Sequence, residues 1–208
     1  MDRNQAKKFW NEIYLSKSEQ QVSWFSESLK ESLEQILKHA PEKNSRIIDV
    51  GSGRSTLAND LLRLGYKSIT ILDISDAAIM QAVSKIDANF EYLKSIVGDV
   101  TNFEFSRESF DLWHDRAVFH FLTSKEKKKA YIDALKNSLR PDGTAVISTF
   151  ENEGPEKCSG LKVQRYDEKS LSVELGSQFR LLEWKKWDHL TPFGVRQRFI
   201  QCCYALKR

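Results

Sequence analysis

The chain has 208 residues, a formal net charge of +3 and 40% hydrophobic residues, which suits one domain with a full hydrophobic core. A mixed charge of this size does not indicate nucleic acid or membrane as a partner. The segment 1–8 has no apolar core, and no run approaches the roughly 20 apolar residues of a membrane span. Three cysteines, Cys158, Cys202 and Cys203, do not make a disulfide framework, so we expect a cytoplasmic protein.

Helical and strand patterns follow one another along the chain. Residues 1–40 are predicted to be helical, and Pro41 closes this segment. Strands are then predicted at 46–50, 68–73, 92–97, 109–113 and 143–149, with helices at 55–64, 75–86 and 124–139. A loop at 151–166, a helix at 167–175 and two strands at about 179–188 and 197–206 complete the prediction. Such alternation in the middle of the chain predicts a parallel sheet with right-handed crossovers.

The most informative segment is the turn after the first predicted strand. An apolar run ends in Gly51-Ser52-Gly53, and a helical pattern opens at Ser55. Turns of this kind hold nucleotide-like cofactors, because glycines let a ligand approach the backbone and a helix N-terminus offers free N–H donors. A dinucleotide fingerprint would need a third glycine where this chain has Thr56, and no Gly-Lys-Ser/Thr of a P-loop is present.

The sequence of this turn, Asp49-Val50-Gly51-Ser52-Gly53, resembles the first motif of class I S-adenosylmethionine-dependent methyltransferases. The segments Asp115–Leu122 and Cys158–Leu161 resemble those of the small bacterial type. An aspartate at the end of the second strand, another after the third, and a Leu-x-Pro-x-Gly segment at 139–143 extend the resemblance. It implies an α/β, Rossmann-like fold with a central, mostly parallel seven-stranded sheet, helices on both faces and a C-terminal antiparallel hairpin. More loosely, the chain is similar to protein-lysine methyltransferases of the citrate synthase and elongation factor group.

We expect a single methyltransferase domain over residues 1–208. Within it, 1–40 would form an N-terminal helical lid, 41–150 the cofactor-binding core, and 151–208 a loop, a helix and the C-terminal hairpin.

The resemblance implies S-adenosyl-L-methionine as the cofactor and places it at the strand ends. The glycine turn suits its amino acid end, Asp73 its ribose hydroxyls, and Asp99 with Val100 its adenine. Asp49 either orients the turn or binds the methionine amine, and both interpretations use the same hydrogen bonds. The residues predicted to bind the cofactor are Trp10, Trp24, Asp49, Gly51, Ser52, Gly53, Asp73, Ile74, Asp99 and Val100.

The N-terminal aromatic group, Trp10, Tyr14 and Trp24, has two interpretations. It is either a helix packed against the sheet edge or a lid that excludes water and touches the sulfonium through a ring face. The spacing of these residues resembles the N-terminal segment of several small methyltransferases, which favours the lid.

The acceptor side of the site is predicted around the end of the fourth strand. Asp115 is the predicted catalytic residue, binding or deprotonating the methyl acceptor; a general base is needed only if the acceptor arrives protonated. An ion pair between Asp115 and Arg116 is the competing structural interpretation. For His114 and His120, a structural hydrogen-bonding role is favoured over catalysis.

Two further segments are considered for the acceptor. The loop 151–166 could contact it through Arg165 and Tyr166, since long ordered loops often carry function. The lysines at 125–129 and the basic residues of the last segment form either a solvated face or a docking surface for an acidic substrate. No metal site is predicted, because Cys158 and the pair at 202–203 lack the Cys-x2-Cys spacing of a zinc site.

The sequence therefore predicts an S-adenosylmethionine-dependent methyltransferase with a small-molecule or protein side-chain acceptor and no membrane partner. Nucleic acid is disfavoured as a partner, because the Asn/Asp-Pro-Pro-Tyr/Phe motif of amino-methylating nucleic-acid enzymes is absent. Two alternatives remain. One is a non-catalytic module that retains the cofactor pocket. The other is an NAD(P)-dependent reductase, which would need a third glycine and a Tyr-x3-Lys pair that this chain lacks.

Overall fold

The computed structural model describes residues 1–87 and 89–207. In this part of the chain the helices are α1 (Arg3–Ser16), α2 (Lys30–His39), α3 (Leu57–Arg63), α4 (Asp76–Val83), α5 (Lys125–Ser138) and α6 (Glu168–Leu175). The strands are β1 (Ile47–Val50), β2 (Ile69–Asp73), β3 (Leu93–Val97), β4 (Phe110–Arg116), β5 (Leu139–Phe150), β6 (Lys157–Cys158), β7 (Leu161–Lys162), β8 (Phe179–Leu190) and β9 (Arg196–Leu206).

Seven of these strands form one sheet in the order β3-β2-β1-β4-β5-β9-β8. The pairs from β3 to β5 are parallel, whereas β9 is antiparallel to both β5 and β8. The chain winds outward from β1 to β3 and then returns to place β4 on the other side of β1. This reversal opens a crevice beyond the carboxyl ends of β1 and β4, where open α/β sheets bind ligands. The predicted mostly parallel sheet with an antiparallel C-terminal hairpin is confirmed.

The alternation of side chains along the strands divides the core between the two faces of the sheet. Ile47 packs on the face covered by α2, α3 and α4, whereas Ile48 and Val50 pack on the face covered by α5 and α6. All residues of β1 and β2 are buried, as expected for parallel strands covered on both faces.

The structure corrects the predicted boundaries in two places that matter for the site. The fourth strand was expected to end at residue 113, but β4 continues through His114 and Asp115 to Arg116. Its pairing with β1 extends through Asp115 and its pairing with β5 through Arg116, so these backbones belong to the sheet. Residues 1–40 are not one helical segment, because α1 and α2 are separated by a single 3-10 turn at Glu19–Gln21 and a non-helical stretch at 22–29.

No helix within residues 1–87 and 89–207 is long and apolar enough to cross a membrane.

Candidate active site

A cavity of about 830 Å³ lies at the carboxyl ends of the central strands. Its floor is formed by the ends of β1, β2 and β4 and by the segment after β3. Helix α1, the stretch at 22–29 and the small β6–β7 hairpin line its other sides. A cavity of this size is within the range of small-molecule and cofactor sites.

The glycine turn after β1 is closely packed against neighbouring side chains. Gly51 and Gly53 have φ angles of +64° and +55°, a region that side chains other than glycine rarely adopt. A Cβ on Gly51 would lie 2.0 Å from a methyl of Val118, and one on Gly53 would lie 2.6 Å from the Tyr14 hydroxyl. Both glycines are therefore required by close packing around the turn as well as by its backbone conformation.

Asp49 is fixed in place by a buried chain of hydrogen bonds. Its Oδ1 lies 2.7 Å from Nδ1 of His114, and Nε2 of the same ring lies 2.8 Å from the Ser32 hydroxyl on α2. Because a carboxylate only accepts, Nδ1–H is the donor of the first bond. All three residues are buried, so His114 fixes the Asp49 carboxylate at the cavity wall. This arrangement fits the favoured structural role for His114.

Unsatisfied donors surround the same turn. Ser52 Oγ and the Nε and Nη2 atoms of Arg54 are buried and have no hydrogen-bond partner in the structure. The remaining Nη1 of Arg54 donates to the Lys17 carbonyl and to Gln81, and the guanidinium lies over the Tyr14 ring. Buried polar groups rarely stay unpaired, so these donors indicate a site for an anionic group such as the carboxylate of an amino acid.

Two more carboxylates line the cavity beside β2 and β3. Asp73 accepts from the backbone N–H of Gly53 at 2.9 Å and of Ser75 at 2.8 Å, and burial raises its pKa to about 6. Oδ1 of Asp99 accepts from both the backbone N–H and the hydroxyl of Thr101. These bonds orient both carboxylates and leave them with further acceptor capacity, since each carboxylate offers about four lone-pair sites.

An aromatic cluster covers the cavity. Trp10 of α1 makes edge contacts with Trp24 and Phe121 at ring-centroid distances of 5.8 and 5.2 Å, and Tyr14 contacts Trp24 as well. Helix α1 is attached to the core through Asn11, whose side-chain oxygen accepts from the Ser75 hydroxyl. Trp10, Tyr14 and Trp24 all line the cavity, so the cluster lies over the site and is not packed at a remote sheet edge.

Every residue predicted to bind the cofactor lines this one cavity. The glycine turn and Asp49 lie at one end, with Asp73, Ile74, Asp99 and Val100 toward β2 and β3. The sequence prediction gave Arg54 no separate role, although this residue directly follows the glycine motif. It also missed Phe121, because contact between this ring and Trp10 depends on how α1 packs.

Asp115 is the exception among the predicted site residues, because it does not line the cavity. Its carboxylate is fully buried and accepts from the N–H groups of Val118 and Phe119 and from the Tyr131 hydroxyl at 2.6 Å. In this geometry the Asp115 carboxylate does not face the cavity, so the structure offers no support for its predicted contact with the acceptor. The physical reason is the longer β4, on which the Asp115 side chain points to the face covered by α5. Asp115 fixes the 117–119 turn, whose Val118 contacts Gly51.

Arg116 lies on the opposite face of β4 and lines the cavity. It forms no ion pair with Asp115. Its Nη1 donates to the Trp24 carbonyl at 3.1 Å, and the guanidinium lies over the Phe199 ring. His120 is enclosed nearby, and its pKa falls to about 3 because of burial and the Arg116 charge. This imidazole is neutral, which fits the favoured structural role for His120.

The loop at 151–166 reaches the cavity through other residues than those predicted. Arg165 binds the Gly154 carbonyl and Glu156, and the buried Tyr166 contacts Glu174, so neither lines the site. Cys158, Leu161 and Lys162 of the β6–β7 hairpin line it instead. Burial raises the pKa of the Cys158 thiol to about 11, which keeps this thiol neutral.

Comparison with known proteins assigns the chain to a protein family. Residues 41–193 match the model of a methyltransferase domain family. The chain is 28% identical over 145 residues to an "eEF1A lysine and N-terminal methyltransferase homolog" of Drosophila melanogaster, an alignment that covers 70% of this chain and 19% of the fly protein. It is 25% identical to "EEF1A lysine methyltransferase 2" of Homo sapiens over 73% of this chain and 64% of the human protein. The chain thus spans less than two thirds of the length of these relatives.

Solved structures support the fold. The 1,6-didemethyltoxoflavin-N1-methyltransferase of Burkholderia thailandensis, solved with 1,6-didemethyltoxoflavin and S-adenosylhomocysteine bound, superposes with a TM-score of 0.77 at 16% identity. The match covers 100% of this chain and 92% of that one.

Proposed function

Because this chain belongs to the methyltransferase domain family, we propose that it transfers the methyl group of S-adenosylmethionine to a nucleophile bound in the part of the cavity next to the end of β4. The observation that carries the proposal is the distribution of polar groups along the cavity wall. Unpaired donors surround the glycine turn, and oriented carboxylates stand at the ends of β2 and β3. This order fits the amino acid, ribose and adenine of the cofactor.

Each part of the cofactor has residues suited to hold it. Ser52 and Arg54 would bind the methionine carboxylate through their unpaired donors. Asp49, fixed by His114, would accept from the methionine amine. Asp73 would accept from the ribose hydroxyls and Asp99 from the adenine amine, as predicted from the sequence.

The cofactor supplies an activated methyl group on a sulfonium, so the chain has to align an acceptor and exclude water. The aromatic cover formed by Trp10, Trp24 and Phe121 would exclude water. His114, the imidazole that lines the cavity, is held between Asp49 and Ser32 and is not free to act as a base. We therefore propose that catalysis rests on alignment and that the acceptor presents a nucleophile that is already unprotonated.

The similarity to the elongation factor methyltransferases favours a lysine side chain of a protein as a second candidate acceptor. A lysine ammonium must lose a proton before it can be methylated. This candidate therefore needs a base, and His114, the imidazole that lines the cavity, is already bound to Asp49 and Ser32.

The proposal is tested in two steps on the purified protein. Calorimetry with S-adenosylmethionine, S-adenosylhomocysteine and NADPH should detect the first two and not the third. The protein is then incubated with methyl-labelled cofactor and extract, and the products are divided into protein and metabolite fractions. Labelled metabolites are expected. Cofactor binding without label in either fraction would favour the non-catalytic module, and binding of NADPH alone would favour the reductase.

A further inference from the structure

Arg116 is a cation placed in the wall of the cavity with most of its hydrogen-bonding capacity unused. One of its five N–H donors binds the Trp24 carbonyl. One face of the guanidinium is covered by the Phe199 ring, with 5.3 Å between its central carbon and the ring centroid. These two contacts fix the plane of the group and leave its remaining edge for a ligand.

No carboxylate of residues 1–87 and 89–207 lies within 4.0 Å of this guanidinium. The acidic groups that influence it, Glu31 and Asp49, act at longer range, and Asp49 is bound to His114. Burial lowers the pKa of Arg116 to about 10, which still leaves the group charged at neutral pH. A half-buried charge without a carboxylate partner is unfavourable, and an anionic ligand would reduce that cost.

The position of Arg116 separates it from the groups proposed to bind the cofactor. Those groups stand on β1, β2 and the segment after β3, on one side of the sheet order. Arg116 ends β4 and extends toward Phe199 of β9, on the other side. A ligand bound to Arg116 therefore lies across the cavity from the adenosine, on the side left for the acceptor.

The surroundings of Arg116 limit the chemistry of that ligand. Trp24 and Phe121 line the cavity and pack in one cluster with Phe199, the ring that lies against Arg116, and they favour a flat or apolar body. The planar guanidinium fits the two oxygens of a carboxylate. A phosphate would bring nearly two charges to a half-buried arginine beside this aromatic cluster. An ammonium would meet a like charge, which costs binding energy.

We propose that Arg116 anchors a carboxylate of the methyl acceptor, so that the acceptor is a small organic acid with an apolar or aromatic body. The inference rests on the proposed methyl transfer and identifies the substrate class of the same site. It also distinguishes this site from one that receives a lysine side chain.

Binding of benzoate, benzamide, benzylamine and inorganic phosphate to the protein saturated with S-adenosylhomocysteine tests the proposal, with ligand-observed NMR as the readout. Benzoate is expected to bind at least tenfold more tightly than the neutral amide or the amine. Arg116→Gln should weaken benzoate at least tenfold, while S-adenosylhomocysteine affinity changes less than threefold. Arg116→Lys, which keeps the charge, should recover part of the loss, and Arg180→Gln on the exposed surface of β8 serves as the matched control.

Equal binding of benzoate and benzamide, or benzoate binding that Arg116→Gln leaves unchanged, would overturn the assignment. Phosphate that binds through Arg116 in place of benzoate would overturn the proposal that Arg116 binds a carboxylate. Preferential binding of benzylamine would overturn it as well. Failure of the proposed methyl transfer has a different signature. Either S-adenosylhomocysteine would not bind, or it would bind and no label would be transferred from the methyl-labelled cofactor, while Arg116-dependent binding of benzoate could still be measured.

Discussion

At the residue scale, the aspartates of this chain differ in function because they differ in partners. Asp73 and Asp99 line the cavity, and backbone N–H groups orient them while leaving lone pairs unused. Asp115 also stands at the carboxyl end of a strand, but three donors surround it and no part of it lines the cavity. The position of an aspartate at a strand end is therefore not sufficient to make it a ligand-binding residue.

Asp73→Ala is expected to weaken S-adenosylhomocysteine binding by about 1–3 kcal/mol, because ribose hydroxyls would lose a charged acceptor. Titration calorimetry on the folded variant measures the effect. Asp133→Ala, at an exposed position of α5, is the control. If the affinity of the Asp73 variant equals that of the wild type, this residue does not contact the cofactor.

Asp115→Asn is expected to lower stability by about 1–3 kcal/mol, because an amide N–H₂ would face buried donors. Turnover per folded molecule should stay within about twofold of the wild type, since no substrate contact is lost. Chemical denaturation and initial rates on one preparation measure both quantities. A large fall in turnover with unchanged stability would restore the catalytic role predicted from the sequence.

The wild type and the Asp115→Asn variant also test the pKa of the Asp115 carboxyl. Burial raises it from 3.8 to about 6, and a raised pKa favours the protonated form in the folded state. The stability that the protonated Asp115 carboxyl gives to the folded state is thus fully present below about pH 4 and is lost as the pH rises through about 6. Since asparagine does not titrate, the stability advantage of the wild type over Asp115→Asn should shrink by up to about 3 kcal/mol between about pH 4 and about pH 7.

At the element scale, the β1–α3 turn and helix α1 depend on each other. The absence of a side chain at Gly53 makes room for the Tyr14 hydroxyl of α1, and Arg54 of the turn donates to the Lys17 carbonyl just after that helix. The glycine motif thus shapes both the ligand site and the surface against which helix α1 packs.

Gly53→Ala should be more destabilising than Gly65→Ala by about 1–3 kcal/mol, the usual cost of overpacking. Both glycines have positive φ, but a Cβ on Gly65 meets nothing within 4 Å, so Gly65→Ala reports the backbone cost alone. Tyr14→Phe in the Gly53→Ala background should recover most of this difference in stability, because it removes the hydroxyl that the added methyl group would meet. Urea denaturation of the wild type, the two single glycine variants and the double variant checks this. Equal losses at the two glycines would mean that the turn and α1 are not tightly packed.

At the scale of the whole molecule, the sheet connects the cofactor region with the C-terminal hairpin. Strand β9 pairs with β5 and β8, and its Phe199 lies under Arg116 of the cavity wall. The region beyond residue 150 is thus joined to the core by strand pairing and by side chains of the site. We therefore propose that residues 1–208 fold as one domain.

A single domain predicts one cooperative unfolding transition. The midpoints from tryptophan fluorescence and from far-ultraviolet circular dichroism should coincide, because the tryptophans lie on α1, at residue 24, on β4 and on β8. S-adenosylhomocysteine at about one hundred times its Kd should raise the unfolding free energy by about 2.7 kcal/mol. Two separated transitions, of which the ligand shifts only one, would instead indicate that 151–208 is an independent unit.

The sequence determined the order of the main strands and helices, the glycine turn and the ten predicted binding residues that line the cavity. These features are local, because each follows from an apolar period, a turn residue or the end of a strand. The resemblance to class I methyltransferases added the cofactor and the antiparallel ending; the family match supports the cofactor, and the strand pairing confirms the ending.

Tertiary structure decided which side chains face the cavity beyond β3. The end of β4 could not be predicted from the sequence, because pairing with β1 extends it past the apolar run to Asp115 and pairing with β5 extends it to Arg116. Since side chains alternate along a strand, this extension directs Asp115 toward Tyr131 and Arg116 into the cavity. The unpaired donors of Arg54 and the isolated charge of Arg116 likewise depend on contacts between segments far apart in sequence, which local patterns do not contain.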